Sequence, residues 1–562
     1  MFTLEPRNAR VALQETKTYR VLLVSQKELI AFSLVNFFAD SDITIVTAAK
    51  TADGVGYLEH DKFDAVIANI SREPDESFRL RAEIRKTDER IPILFMTPQF
   101  FSSDVRMLDK IAEDTCSYYI PENADRKFLL TKLHQVIQSS QAEHSLNLLK
   151  HKIDRNLFLA GLLQQAMLPP WVYFSKNYEF SCLYRPFTTV SGNLFQWLPL
   201  DEDRVLFIFG DVSGHGTHSA LAMTAIQSFL SQAVMRDQER AVQPDLIAAD
   251  INNFFCQHLH NIVYMSSLIA YMDFRNNFIR YLNAGYMDIV CINAGTGEFE
   301  ELNPEKKGSI PLGMVKDAVY TETDNVEYHF SDSSVFLFCS DGLMDLSKDR
   351  DGEKNMEMEK FRQLASILVK DPQMMEMSVS LPFRCLHSLE QFGYAFQQDD
   401  LSMVLVRKKL PREREYVFSF RAPADKKAVD RICEKASSFV SGYYEDVELS
   451  VCTELLLEEY LVNVIMHGLG EYERLNEYIA VKLCAYDKEL KLIIWDHGKE
   501  WNGLDMKPEN ADKSLEQLNE NMSTSGRGIP IMSKIASRIS RQRCCGLNET
   551  VFYIPKKTSS NT

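Results

Sequence analysis

Four short strings set aspartates beside glycines or at the ends of apolar runs: FGDVSGHG at 209–216, NAGYMD at 283–288, CSDGLMD at 339–345 and QDDLSMVLV at 398–406. Carboxylate and carbonyl oxygens are hard donors and suit magnesium or manganese rather than zinc. A second constellation lies in VCTELLLEEYLVNVIMHG, where Glu459, Asn463 and His467 fall at four-residue steps and so line one helix face. WDHG at 495–498 and STSGRGIPIM at 523–532 follow it, and backbone amides at a glycine-rich helix start suit phosphate. The 11 cysteines are scattered and form no CxxC pair of the kind that binds structural zinc. Such thiols behave as small apolar residues of a reducing cytosol.

These residues need scaffolds, and 562 residues exceed what one hydrophobic core supports, so three or four domains are expected. With 45% hydrophobic and 25% charged residues the composition is that of an ordinary globular chain. The net charge of -17, with no Lys/Arg block, excludes a nucleic-acid binder and favours a protein or nucleotide partner. No run approaches the ~20 apolar residues of a membrane span, and the N-terminus lacks a basic stretch followed by an apolar block, which predicts a cytoplasmic protein with no membrane partner.

Residues 19–122 alternate short apolar runs with amphipathic stretches, the rhythm of a doubly wound α/β sheet. Residues 123–170 read as a helical linker. Within it Leu146, Leu149, Ile153, Ala160, Leu163 and Met167 recur at three- and four-residue steps with Asn156 in register, either a coiled-coil seam or one amphipathic helix packed on its own domain. Proline chemistry stops that helix at Pro169-Pro170. Residues 171–409 are strand-rich, PRERE at 411–415 reads as a polar linker, and 416–556 form a last α/β domain. The fold class is therefore multidomain α/β.

Residues 19–122 resemble the receiver domain of bacterial response regulators in strand order and in the strand ends VLLVSQ, VIANIS, LFMT and YYIP; a generic α/β domain is the alternative. The positions of the receiver's acidic pair, phosphoacceptor and lysine hold Ser25-Gln26, Asn69 and Ile120, while Thr97 keeps the expected type. An amide is a poor nucleophile, so phosphorylation is not expected here.

The four aspartate strings, with LLQQAMLPP upstream, resemble the phosphatase 2C-type domain of bacterial sporulation and stress-response regulators, an α-β-β-α sandwich holding two magnesium or manganese ions. The resemblance implies that Asp211 bridges the cations, that Val212 offers its carbonyl, and that Asp341 and Asp399 hold the second side. Gly210, Gly214 and Gly216 let the backbone approach closely. One departure is VSGN, where Asn193 stands in place of the usual aspartate and brings no charge.

The three boxes around Asn463, Asp496 and STSGRG resemble the ATPase superfamily of histidine kinases and anti-sigma-factor serine kinases, a GHKL-type α/β sandwich. By that resemblance Asn463 is a magnesium ligand on ATP, Asp496 accepts the adenine amino group, and Gly498, Gly526 and Gly528 shape the pocket and lid. Glu459 is the base. Together these imply a regulator that dephosphorylates, and also phosphorylates, a serine or threonine on a STAS-type anti-sigma-factor antagonist. A sigma or anti-sigma factor is a further possible partner, and a homodimer is compatible with the seam. The competing reading is a non-enzymatic scaffold that sequesters a partner, with its phosphatase weakened by Asn193.

Overall fold

Strand β1 (Tyr19–Val24) has Val21, Leu22 and Leu23 all fully buried, as a strand covered on both faces must. In the computed structural model it begins a chain described over residues 18–69, 74–88, 90–97, 105–214, 216–237, 239–259, 262–351, 355–470, 477–500 and 528–556. The chain divides into two compact units, 1–155 and 156–562.

In the first unit β1 is followed by α1 (Glu28–Phe38), β2 (Ile43–Ala48), α2 (Thr51–His60), β3 (Ala65–Asn69), α3 (Pro74–Thr87), β4 (Ile93–Thr97), α4 (Val105–Ala112) and β5 (Ser117–Pro121). The strands are all parallel, in the order β2-β1-β3-β4-β5. This is the doubly wound order shared by flavodoxin and receiver proteins. Helix α5 (Arg126–Met167) buries Leu129, Leu133 and Ile137 against one face of this sheet, beside Leu34 and Phe38 of α1. It ends two residues before Pro169, as proline sterics require. The seam residues Leu146, Leu149, Ile153, Ala160, Leu163 and Met167 are all exposed in the single chain. They do not pack on their own domain.

The second unit opens with β6 (Val172–Phe174), β7 (Tyr178–Arg185), β8 (Asn193–Pro199) and β9 (Arg204–Val212). Two helices, α6 (Thr217–Arg236) and α7 (Pro244–His258), precede β10 (Met265–Asp273), β11 (Phe278–Ala284), β12 (Val290–Asn293), β13 (Phe299–Glu300), β14 (Val326–His329) and β15 (Ser334–Cys339). Then come α8 (Met358–Lys370), α9 (Pro372–Glu376), α10 (Leu381–Gln391) and β16 (Leu401–Lys408). The strands make two antiparallel sheets, β14-β11-β10-β9-β8 and β13-β12-β15-β16-β7-β6. Their inner faces share a core rich in Phe180, Phe207, Phe209 and Phe338.

The remaining elements are α11 (Glu413–Tyr416), β17 (Val417–Pro423), α12 (Lys426–Tyr444), α13 (Val447–Asn463), β18 (Tyr478–Ala485), β19 (Glu489–Asp496), α14 (Gly528–Ile535), β20 (Arg538–Cys544) and β21 (Leu547–Pro555). They form the sheet β17-β18-β19-β21-β20. Its strands alternate strictly. Leu490, Leu492 and Ile494 face α12 and α13, while Ile493 and Trp495 face the other way, into the core shared with α8–α10. The helices α8–α10 thus contribute to a core that also takes in residues of both sheets.

The stretch 411–415, read as a polar linker, also acts as a tie. Glu413 in α11 pairs with Arg407 at 3.0 Å, and Arg407 pairs with Glu179 at 2.7 Å. Across the joint Lys482 reaches Glu179 at 3.6 Å, Arg384 pairs with Glu549 at 2.6 Å, and Trp171 Nε1 donates to the Tyr478 carbonyl at 2.8 Å. Buried charges that are paired in this way hold two elements in one register.

Candidate functional site

Asp211 sits near the end of β9, a central strand whose neighbours place Asn193 and Ser266 directly opposite it. Asp341 opens the turn after β15, and Asp399 lies in the loop entering β16, the strand that pairs with β15. The turn and the loop touch closely at Gly342, where a β-carbon would sit 2.2 Å from the Asp400 carbonyl. Only glycine fits that approach. Gly210 also allows a close approach, with Ser266 O 2.8 Å from a would-be β-carbon. Gly214 and Gly216 contribute differently, through left-handed backbone at φ 88° and 84° with open space around them.

The carboxylates repel one another. Burial, followed by Asp341, Asp399 and Asp400, pushes Asp211 up to about 8. Asp341 is raised by burial and by Asp399 and Asp345. Asp345 is raised by burial and Asp399. The main influences on these three, among the described residues, are burial and other carboxylates. A pocket of unneutralised carboxylates at a sheet end fits two hard cations. Val212 lies beside it, with its carbonyl 2.9 Å from the β-carbon position of Gly192.

Asn193 has a definite job in this arrangement. Its Nδ2 donates to the Asp400 carbonyl at 2.9 Å and to Ser402 Oγ at 3.1 Å, while its Oδ1 is buried without a partner among the described residues. A carboxylate could not make the donation to the carbonyl, so the amide pins β8 to the Asp399-Asp400 loop and leaves one oxygen to spare. Asp400 does not join the cluster as a spare carboxylate. Its oxygens accept the Phe187 and Gly192 amides at 2.7 and 3.0 Å, holding the loop that also exchanges two hydrogen bonds with Gln164 of α5 through Ser191.

Sequence reasoning missed Asp345 and Tyr286, although both lie in strings it singled out. Asp345 follows Asp341 by four residues, one helical turn. Tyr286 is half-buried, its buried hydroxyl has no partner among the described residues, and burial, then Asp341 and Asp211, hold it well above the ordinary phenol range. Asn283 shapes that loop by accepting from the Tyr286 amide at 2.7 Å.

The second constellation converges as well. A β-carbon on Gly528, at the start of α14, would lie 2.6 Å from Glu459 Oε2 and 3.0 Å from Asn463 Nδ2. Burial and Glu458 raise Glu459, which favours its service as a base. Asp496 is fully buried and accepts from Gly498 N, Asn548 Nδ2 and Tyr460 Oη, each at 2.8 Å. A carboxylate offers about four acceptor positions, so one remains for an amino group. Gly498 packs against Gly468, and Lys499 N donates to the Gly468 carbonyl at 2.7 Å. His467 does not share the face of Glu459 and Asn463: a π-helical turn at Val464–Gly468 breaks the register and leaves His467 exposed. Gly526 lies outside the described residues.

In the first unit the carboxyl strand ends carry buried Ser25, Asn69 and Thr97, and Lys27 pairs with Glu122 at 2.6 Å. None of these groups is a phosphoacceptor carboxylate.

Residues 201–409 match the family described as stage II sporulation protein E, and residues 422–553 match the histidine kinase-like ATPase domain. The chain therefore joins a phosphatase 2C-type segment to a kinase-like ATPase segment, and the recognition drawn from the motifs holds for both. Over 205 residues it is 23% identical to the phosphoserine phosphatase RsbP of Bacillus subtilis, covering 35% of this chain and 47% of RsbP. The match thus spans about half of that relative. Among solved structures, the RsbU and RsbW domains of Rv1364c from Mycobacterium tuberculosis align at 16% identity and a TM-score of 0.36, covering 69% of this chain and 99% of that one. The SiaA-PP2C domain of Pseudomonas aeruginosa aligns at 20% identity and a TM-score of 0.37, covering 46% and 98%.

Proposed function

We propose that this chain is a cytoplasmic partner-switching regulator that removes phosphate from a phosphoserine or phosphothreonine of a small protein, and restores it with ATP. Its working parts are a receiver-like domain (19–122), a helical linker (123–170), a phosphatase (171–409) and a serine-kinase-like ATPase (416–556). The observation that carries the reading is the carboxylate pocket of Asp211, Asp341, Asp345 and Asp399, in which burial and neighbouring carboxylates raise Asp211, Asp341 and Asp345 together.

Bound magnesium or manganese supplies an activated water and neutralises the phosphoryl oxygens. The chain's own residues do the rest. Asp211 would hold the cations from the sheet and Asp341 and Asp399 from the facing loops, while Asn193 fixes the loop that carries Asp399. In the ATPase segment Asp496 receives the adenine amino group, Asn463 carries the magnesium of ATP, and Glu459 draws the proton from the attacking hydroxyl. The partner is a STAS-type anti-sigma-factor antagonist, a protein carrying one serine or threonine that both sites can address. The exposed seam of α5 supports a homodimer. Among the described residues no helix is long and apolar enough to cross a membrane.

The test is turnover of a candidate antagonist. Manganese with the phosphorylated antagonist should release phosphate, and ATP with the unphosphorylated form should transfer it. Stoichiometric complex formation with neither reaction would make the chain a sequestering scaffold.

A further inference from the structure

Away from both sites, three metal-ligand side chains of different type converge where the ATPase hairpin meets helix α10. His387 and Glu390, three residues apart, share one face of α10. Cys545 opposes them from the two-residue turn between β20 and β21, whose flanking pair is Cys544 and Leu547. One ligand atom from each lies within 4.8 Å of the others, and Cys545 Sγ stands 3.6 Å from Glu390 Oε2. All three residues are only half-buried. Cys545 also lines a cavity of about 640 Å³.

The turn itself singles out the cysteine. Cys545 and Gly546 both have positive φ, 48° and 89°, the signature of a tight hairpin turn in which asparagine or glycine is the favoured first residue. A side chain without that preference is held there, pointing its sulfur at a carboxylate. In the absence of a cation the thiol donates to that oxygen. Arg185 neutralises only one oxygen, Glu390 Oε1 at 2.6 Å, and leaves Oε2 toward the sulfur.

We propose that His387, Glu390 and Cys545 form a binding site for a zinc-class divalent cation that clasps the β20–β21 hairpin to α10. Nitrogen, oxygen and sulfur together suit zinc, and Zn–S near 2.3 Å with Zn–N and Zn–O near 2.1 Å puts tetrahedral ligand atoms about 3.5 Å apart. The side chains need close by only about 1 Å. Water fills the fourth position. Binding expels the thiol proton to solvent and forms the metal–sulfur bond, so uptake strengthens as pH rises. The site differs in kind from the phosphatase pocket, which offers oxygen alone.

Cobalt(II) distinguishes the two, because only a thiolate ligand gives sulfur-to-cobalt charge-transfer absorption. The full-length protein should develop that band up to one equivalent of cobalt and lose it when zinc is added. Cys545→Gly suits the turn and so spares the fold; it should abolish the band. His387→Gln should weaken cobalt binding by at least about 10- to 100-fold. Cys544→Ser should leave the band intact. The proposal is overturned if no band forms at stoichiometric cobalt, if the band survives Cys545→Gly, or if His387→Gln binds as tightly as the parent.

Discussion

Two carboxylate regions of the second unit, one fully buried and one at a solvent-facing sheet end, follow opposite electrostatic rules. Glu179 in β7 is 1% exposed, yet Arg407, Lys482 and Lys409 more than offset its burial and hold it far below the ordinary carboxylate range. Asp211, two strands later, is surrounded by Asp341, Asp399 and Asp400 and is held far above that range. The first region brings its own cations and works as a joint between the two segments. The second lacks them and has the character of a site built to receive cations from outside. A buried acid therefore cannot be assigned from burial alone; the sign of its neighbours decides whether it is structural or functional.

The largest test removes the shared ligand. Asp211→Ala should lower manganese-dependent phosphate release by about 10³-fold or more, the several kcal/mol that metal charge stabilisation supplies, while ATP binding measured by calorimetry is unchanged. Glu459, a third acid raised by its surroundings, should behave as chemistry rather than as a charge sink. Glu459→Gln should keep ATP affinity and lose about 10²- to 10⁴-fold in radiolabel transfer, whereas Asn463→Ala should weaken ATP binding itself. Wild-type transfer by Glu459→Gln would recast the segment as a binding domain.

The paired region should break in the folding equilibrium instead. Glu179→Gln leaves Lys482 buried without its counter-charge and Arg407 with Glu413 alone, and should cost about 3–5 kcal/mol in urea unfolding. A pH titration sharpens the contrast. Glu179, with its folded value depressed, adds stability above the ordinary glutamate range and loses it only in strong acid. Asp211, with its folded value near 8, subtracts stability progressively as pH rises from about 4 to about 8, so the metal-free protein should weaken over that window. Manganese binding below pH 8 should release a proton, which calorimetry in buffers of different ionisation enthalpy reads directly. The smallest expected effect is none: residues 19–122 should take up no phosphate from a small phosphodonor, since Asn69 stands at the acceptor position. An acid-labile adduct mapped to that domain would contradict this.

Much of the site was legible because its residues lie in short strings with strong local demands. Asp211, Asp341 and Asp399 sit where glycines permit close backbone contact, and Glu459 and Asn463 sit one helical turn apart. Asp345 and Tyr286 were passed over because neither carries a local signal; only the packing of the loops points them at the same pocket. His467 was misplaced because a π turn cannot be foreseen from four-residue spacing. The linker reading of 411–415 missed the tie because the partner of Glu413 is Arg407, whose own partner Glu179 lies more than two hundred residues earlier.

Composition, periodicity and motif order by themselves determined the multidomain α/β class and the proline stop of α5, and singled out the residue types proposed for both sites, since each depends on contacts within a few residues. Tertiary structure alone decided that the outer face of the ATPase sheet is buried on α8–α10, that Asn193 works as a donor to the Asp400 carbonyl, and that His387, Glu390 and Cys545 meet. Those outcomes depend on side chains far apart in the chain, and long-range packing and charge pairing leave no periodic trace in a sequence.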